Sequence, residues 1–228
     1  MNKKSSITLA SAIAALAISG SAGATVINYG SQLDGDNVPT TTVAGANVIN
    51  FNDGTCAPAS CSGTNYAIVN GSTNGHNAAP AIPPYNGSSF DPTNYLTVPD
   101  NLSATPQSTT ISLGSGNHYF GLLWGSIDAY NTLTFMLDDN TTLSYTGSDI
   151  INPSPANGNQ ASPTTNTYVN FFQLPAFNAV KLSSTQYAFE SDNLAYSDVP
   201  EPGNLALFGL AALGLLVGFR RRFSGRAF

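Results

Sequence analysis

Between residues 25 and 199 the chain has one cation, Lys181. The rest of its seven Lys and Arg residues sit near the two ends, and all of its thirteen acids except Glu201 lie in between. This imbalance restricts the fold. Surface helices draw on Glu, Lys and Arg for propensity and for charge pairs one turn apart, and those residues are nearly absent. Thr, Ser, Asn, Gly, Val, Tyr and Phe take their place, and they belong to strands and polar turns. The stretch is long enough for one domain with its own core. So acidic a surface repels phosphate backbones, which excludes nucleic acid as a partner.

Short runs rich in β-branched and aromatic residues recur along this stretch. They predict strands at 25–29, 46–51, 66–69, 95–98, 109–113, 118–124, 132–137, 143–146, 167–173, 179–182 and 187–190. The alternation is clearest where Leu133, Phe135 and Leu137 share a face with polar neighbours between them. Two long loops, 71–93 and 148–166, are rich in Pro, Asn, Gly and Ala, and loops of this length are expected to bind something or to move. Many closely spaced strands without helices predict an all-β domain at 25–199, a jelly-roll-like antiparallel β-sandwich.

The two ends have a different character. Lys3 and Lys4 precede an apolar run at 7–18 and the small residues Ala22-Gly23-Ala24. This is the plan of a secretory signal peptide, residues 1–24, read by export machinery and signal peptidase. At the other end, Pro200-Glu201-Pro202 precedes an uncharged apolar segment at 205–219, then Arg220-Arg221-Arg222. The segment reads as a transmembrane helix with its arginines on the cytoplasmic side. As a helix it reaches only about 23 Å, against a hydrocarbon core of about 30 Å, which suits a temporary anchor. A permanent tail anchor is the alternative.

The order Pro-Glu-Pro, short apolar helix and arginine cluster over residues 200–228 resembles the PEP-CTERM sorting domain. The resemblance implies recognition by exosortase, a membrane cysteine peptidase of Gram-negative bacteria that make exopolysaccharide. Pro200, Glu201 and Pro202 would be the recognition residues. Both prolines keep the backbone extended ahead of the helix, which presents Glu201 as a fixed charge beside the membrane. The implied course is export, transient anchoring in the inner membrane by the C-terminal helix, then the cell surface or extracellular matrix. Residues 119–135 and 187–195 are also similar to elements of the extracellular β-sandwich domains that precede this signal.

Cys56 and Cys61 are the only cysteines. In an exported chain they predict one local disulfide. His76 and His118 are the only histidines and lie far apart in sequence, so a zinc site lacks ligands. Glu190, Asp192 and Asn193 alternate at the end of the last expected strand. They read either as turn capping or, with Asp34 and Asp36 if the termini meet, as a structural Ca²⁺ site, an ion that takes six to eight oxygens. Sugar-binding jelly rolls often hold such an ion; no other cofactor is expected. Trp124, the lone tryptophan, is expected in the core rather than as a sugar platform. Asp138-Asp139-Asn140 reads as a hairpin turn. No G-x-S-x-G elbow or H-E-x-x-H is present, so no catalytic residues are assigned and no enzyme is expected. The expected role is a structural or adhesive surface protein associated with exopolysaccharide or biofilm; the alternative is a carbohydrate-binding module, calcium-dependent or not.

The A-x-A end of the leader predicts Thr25 as the first residue of the exported protein. N-terminal sequencing of the secreted form should read Thr25; a form beginning at Met1 would overturn the expectation.

Overall fold

The computed structural model describes residues 24–198, apart from 86, 153 and 157. The signal peptide, the Pro-Glu-Pro tripeptide, the apolar segment 205–219 and the arginine cluster lie outside the described residues. Among the described residues no helix is long and apolar enough to cross a membrane.

Fourteen strands and one short helix make up the described domain. In chain order the strands are β1 Val26–Tyr29, β2 Gln32–Leu33, β3 Pro39–Thr40, β4 Asn47–Ile49, β5 Ser60–Ser62, β6 Ala67–Asn70 and β7 Asn94–Val98. Then follow β8 Ser108–Asn117, β9 Tyr119–Gly125, β10 Asn131–Leu137, β11 Thr142–Thr146, β12 Thr167–Phe172, β13 Phe177–Ser184 and β14 Phe189–Ser197. The helix α1, Gly147–Ile150, is one turn closed by a Thr146–Asp149 capping box. One sheet runs β1-β12-β9-β14-β7-β6, with β4 also on β14, and the other runs β11-β10-β13-β8-β5. Every pairing is antiparallel, and the last eight strands nest: β7 with β14, β8 with β13, β9 with β12, β10 with β11. A long hairpin wrapped so that its strands alternate between two sheets gives this pattern, the connectivity of a jelly roll.

The sheets meet through aromatic side chains. Phe135 on β10 lies 5.6 Å from Phe120, 5.3 Å from Phe171 and 5.2 Å from Phe177, always at a steep angle. Edge-to-face pairs of this kind add about 0.5–1.5 kcal/mol each beyond the area they bury. Trp124 is fully buried and stacks on Phe189 at 4.3 Å, as expected of a core tryptophan. The expected hairpin after β10 is present: Asn140 takes a φ of 66° and its N–H bonds to the Leu137 carbonyl at 3.0 Å.

The two sheets differ in what covers their outer faces. On β10 and β13 buried residues mostly alternate with less buried ones, whereas every residue of β9 and β14 is buried. The outer face of β9 carries a second small core, Val38, Ile82, Leu123 and Tyr168. Two glycines of β9 let this layer lie against the strand. A Cβ on Gly125 would meet Pro80 at 3.0 Å, and one on Gly121 would meet Tyr168 Cε1 at 2.8 Å. The 71–93 loop, expected to bind or move, therefore acts as cover.

Backbone groups under that cover need partners inside the protein. Asn166 supplies four bonds: its Oδ1 accepts from Ala81 N at 3.1 Å and Ser126 N at 2.9 Å, and its Nδ2 donates to the carbonyls of Gln160 and Ser162. It ties both long loops to the end of β9. Asn166→Ala leaves two buried donors unsatisfied and should cost roughly 2–5 kcal/mol, read in urea as a lower midpoint at unchanged slope. Asn159→Ala, at an exposed turn, should change stability by less than about 0.5 kcal/mol.

Candidate functional site: a roofed carboxylate cluster on the last strand

Phe189 faces the core, so the pleat sends Glu190 and Asp192 to the opposite, outer face of β14. They are 3% and 1% exposed and lie within the strand, which continues to Ser197 rather than ending near Glu190. The expectation that they cap a strand end is corrected. The strand was read short because acids inside a run argue against burial.

Two separate groups form on this face. Glu190 Oε1 accepts from Ala78 N at 2.9 Å, which pins the 71–93 loop, while Oε2 is buried without a partner. Burial, with the nearby charge of Asp128, pushes the Glu190 carboxyl up to about 8. Asp128 itself holds the second long loop, accepting from Gly158 N at 2.8 Å and from the Tyr130 hydroxyl at 2.9 Å.

The second group centres on Asp192. Its carboxyl faces that of Asp91, 3% exposed in the 71–93 loop. The Thr93 hydroxyl stands between them, 2.6 Å from Asp91 Oδ1 and 3.3 Å from Asp192 Oδ2. The other oxygens, Asp91 Oδ2 and Asp192 Oδ1, are buried and bond to no other residue, while the two carboxyls themselves lie within hydrogen-bonding reach of each other. Burial is the main cause that raises the pKa of both acids; the neighbouring carboxylate adds to it at Asp192, and the Asp34 charge adds to it at Asp91. Asp34 reaches the group from the chain start: its Oδ2 accepts from Asn193 Nδ2 at 2.8 Å, and its Oδ1 from the N–H groups of Asp36 and Val38. The termini thus meet at this face.

The four acids singled out from sequence therefore part company. Asp34 is brought to Asn193, the residue after Asp192, and its charge acts on Asp91. Glu190 belongs with Asp128, and Asp36 is exposed, its Oδ2 accepting from Asn52 Nδ2 at 3.3 Å. Asp91 was missed for a reason visible in the sequence itself. Asp53-Gly54-Thr55, Asp91-Pro92-Thr93 and Asp139-Asn140-Thr141 make the same local turn, the Asp oxygen accepting from the Thr N–H and hydroxyl two residues on. At Asp53 and Asp139 those bonds hold the carboxyl below the usual range, while at Asp91 burial outweighs them. The motif is common to all three, and only the roof over Asp91 sets it apart.

Elsewhere, Cys56 and Cys61 are joined, with Cα atoms 5.8 Å apart. An open groove of 690 Å³ beside this disulfide is lined by residues that include Thr55, Tyr66 and Ile68. Both histidines bond to backbone carbonyls, His76 Nε2 to Asp100 at 2.7 Å and His118 Nδ1 to Leu174 at 2.8 Å.

Residues 198–222 match the PEP-CTERM protein-sorting motif, directly after β14. The chain carries a PEP-CTERM protein-sorting motif. That motif supports an exported protein sorted by exosortase. No curated protein matches the chain.

The folded domain holds a proton on Glu190 that an unfolded chain, with a carboxyl near 4.5, gives up. That contribution is complete below about pH 4.5 and is lost as pH rises through about 8. Glu190→Gln keeps an acceptor for Ala78 N without a charge. In chelator, the wild type should lose more stability than this variant between pH 5 and 8.5, by up to roughly 4 kcal/mol. Equal losses in thermal melts would show that Glu190 does not titrate in this window.

Proposed function

We propose that the sorted domain is a structural or adhesive component of the cell surface or extracellular matrix, associated with the cell's own exopolysaccharide, and not an enzyme. The observation that carries this reading is the closure of its acids. A glycosidase needs two carboxylates converging in a cleft that a sugar can enter, whereas Glu190, Asp192 and Asp91 are roofed by the 71–93 loop. The imidazoles are engaged with main-chain carbonyls, and the sorting motif supports export toward the cell surface. The route runs through signal peptidase and inner-membrane anchoring by the 205–219 segment, with Glu201 presented to exosortase.

A second reading, a carbohydrate-binding module, is favoured by one feature. The open groove beside the disulfide has Tyr66 and several polar groups along it, and an aromatic face with hydrogen-bonding neighbours suits a sugar ring.

The test is co-sedimentation of the purified protein with polysaccharide isolated from the same cells, beside a glycan array. The structural reading expects binding to the polymer and no discrete oligosaccharide. Binding of a defined oligosaccharide that Tyr66→Ala abolishes would establish the module instead. Hydrolysis of the polymer would overturn both readings, and absence of binding in either assay would overturn the association with polysaccharide.

A further inference from the structure

The Asp91–Asp192 pair has a deficit that the chain does not fill. Two carboxyl groups face each other under a roof, each with one oxygen buried and unpartnered, and a third acid, Asp34, adds its field. Buried charge requires a compensating charge. The only Lys or Arg among the described residues is Lys181, which lies on β13 in the other sheet, in register with Thr110 and Thr134 of the neighbouring strands.

We propose that Asp91 and Asp192 bind a hard divalent cation of the calcium class between their two unpartnered oxygens. The donor set decides the class. Among the described residues no three His, Cys, Asp or Glu side chains converge to hold a metal by themselves, so a zinc-like ion needing nitrogen or sulfur ligands is not served. Calcium instead completes its shell with neutral oxygens and water. The Thr93 hydroxyl, lying against both carboxyls, provides one such oxygen. Both oxygens of Asp34 already accept hydrogen bonds, so it lends charge rather than a ligand. Glu190 and Asp36 take no part. The ion would join the last strand to the loop that covers it, whatever the domain binds outside.

The experiment uses the full chain in detergent, stripped with chelator and melted in calcium, magnesium or sodium chloride at matched ionic strength. Sites of this kind in extracellular modules half-saturate at about 0.1–1 mM. About 10 mM calcium should therefore raise the melting temperature by roughly 3–10 °C, with magnesium and sodium well behind. Asp192→Asn and Asp91→Asn should each remove the calcium increment, while their metal-free forms melt no lower than the metal-free wild type, because each loses a buried charge. Asp36→Asn should keep the increment. If one variant does not fold, the other carries the test, with calorimetric titration of the wild type giving the stoichiometry. A melting temperature indifferent to calcium, an equal rise in sodium, or an increment that survives both substitutions would overturn the site.

Discussion

Burial of the β9–β14 pair on both faces is the constraint to which the rest of the domain answers. A sandwich normally leaves the outer face of each sheet to water, and polar residues there need nothing from the protein. Here the inner face packs Trp124 on Phe189, while the outer face lies beneath the chain start and the 71–93 loop. Every polar group on that face must therefore find its partner inside. Asn166, Asn193 and Asp128 exist in this structure as solutions to that demand, each bonding to a segment distant in sequence. The carboxyls of Asp91 and Asp192 are where the demand is only half met.

Most of the fold was legible because it follows from period and composition. The strands from 95 to 182 were all anticipated, since each is a run of β-branched and aromatic residues bounded by turn residues. The short strands β2, β3 and β5 were not, because two or three residues carry no periodicity, whereas the equally short β4 sits inside the longer run 46–51. The last strand was cut short at Glu190 because its acids look like surface. Burial there is a property of the covering loop, whose nearest end, Thr93, is 99 residues from Asp192 in sequence, and no local pattern announces it.

The loops illustrate the same limit from the other side. The stretch Ala78-Ala79-Pro80-Ala81-Ile82 lies in a long loop whose composition predicts binding or movement. Its small and apolar residues are instead what allows it to lie flat on a strand, with Pro80 against Gly125. The matching sign was present in β9, where Gly121 and Gly125 interrupt an otherwise bulky strand. Two glycines spaced an even number of residues apart in a buried strand mark one face that something approaches closely.

The position of β14 also bears on how the domain would carry a pull. The sorting motif begins at residue 198, immediately after Ser197, so a tether there transmits tension straight into β14. That strand is held by β9 along one edge and by β7 and β4 along the other. Tension along its axis loads many inter-strand hydrogen bonds at once, in shear, instead of peeling them one by one as it would at β1 on the sheet edge. Extraction of the strand nearest the tether would thus meet many bonds at once, and the loop fastened to it at Ala78 and Thr93 would have to tear away with it.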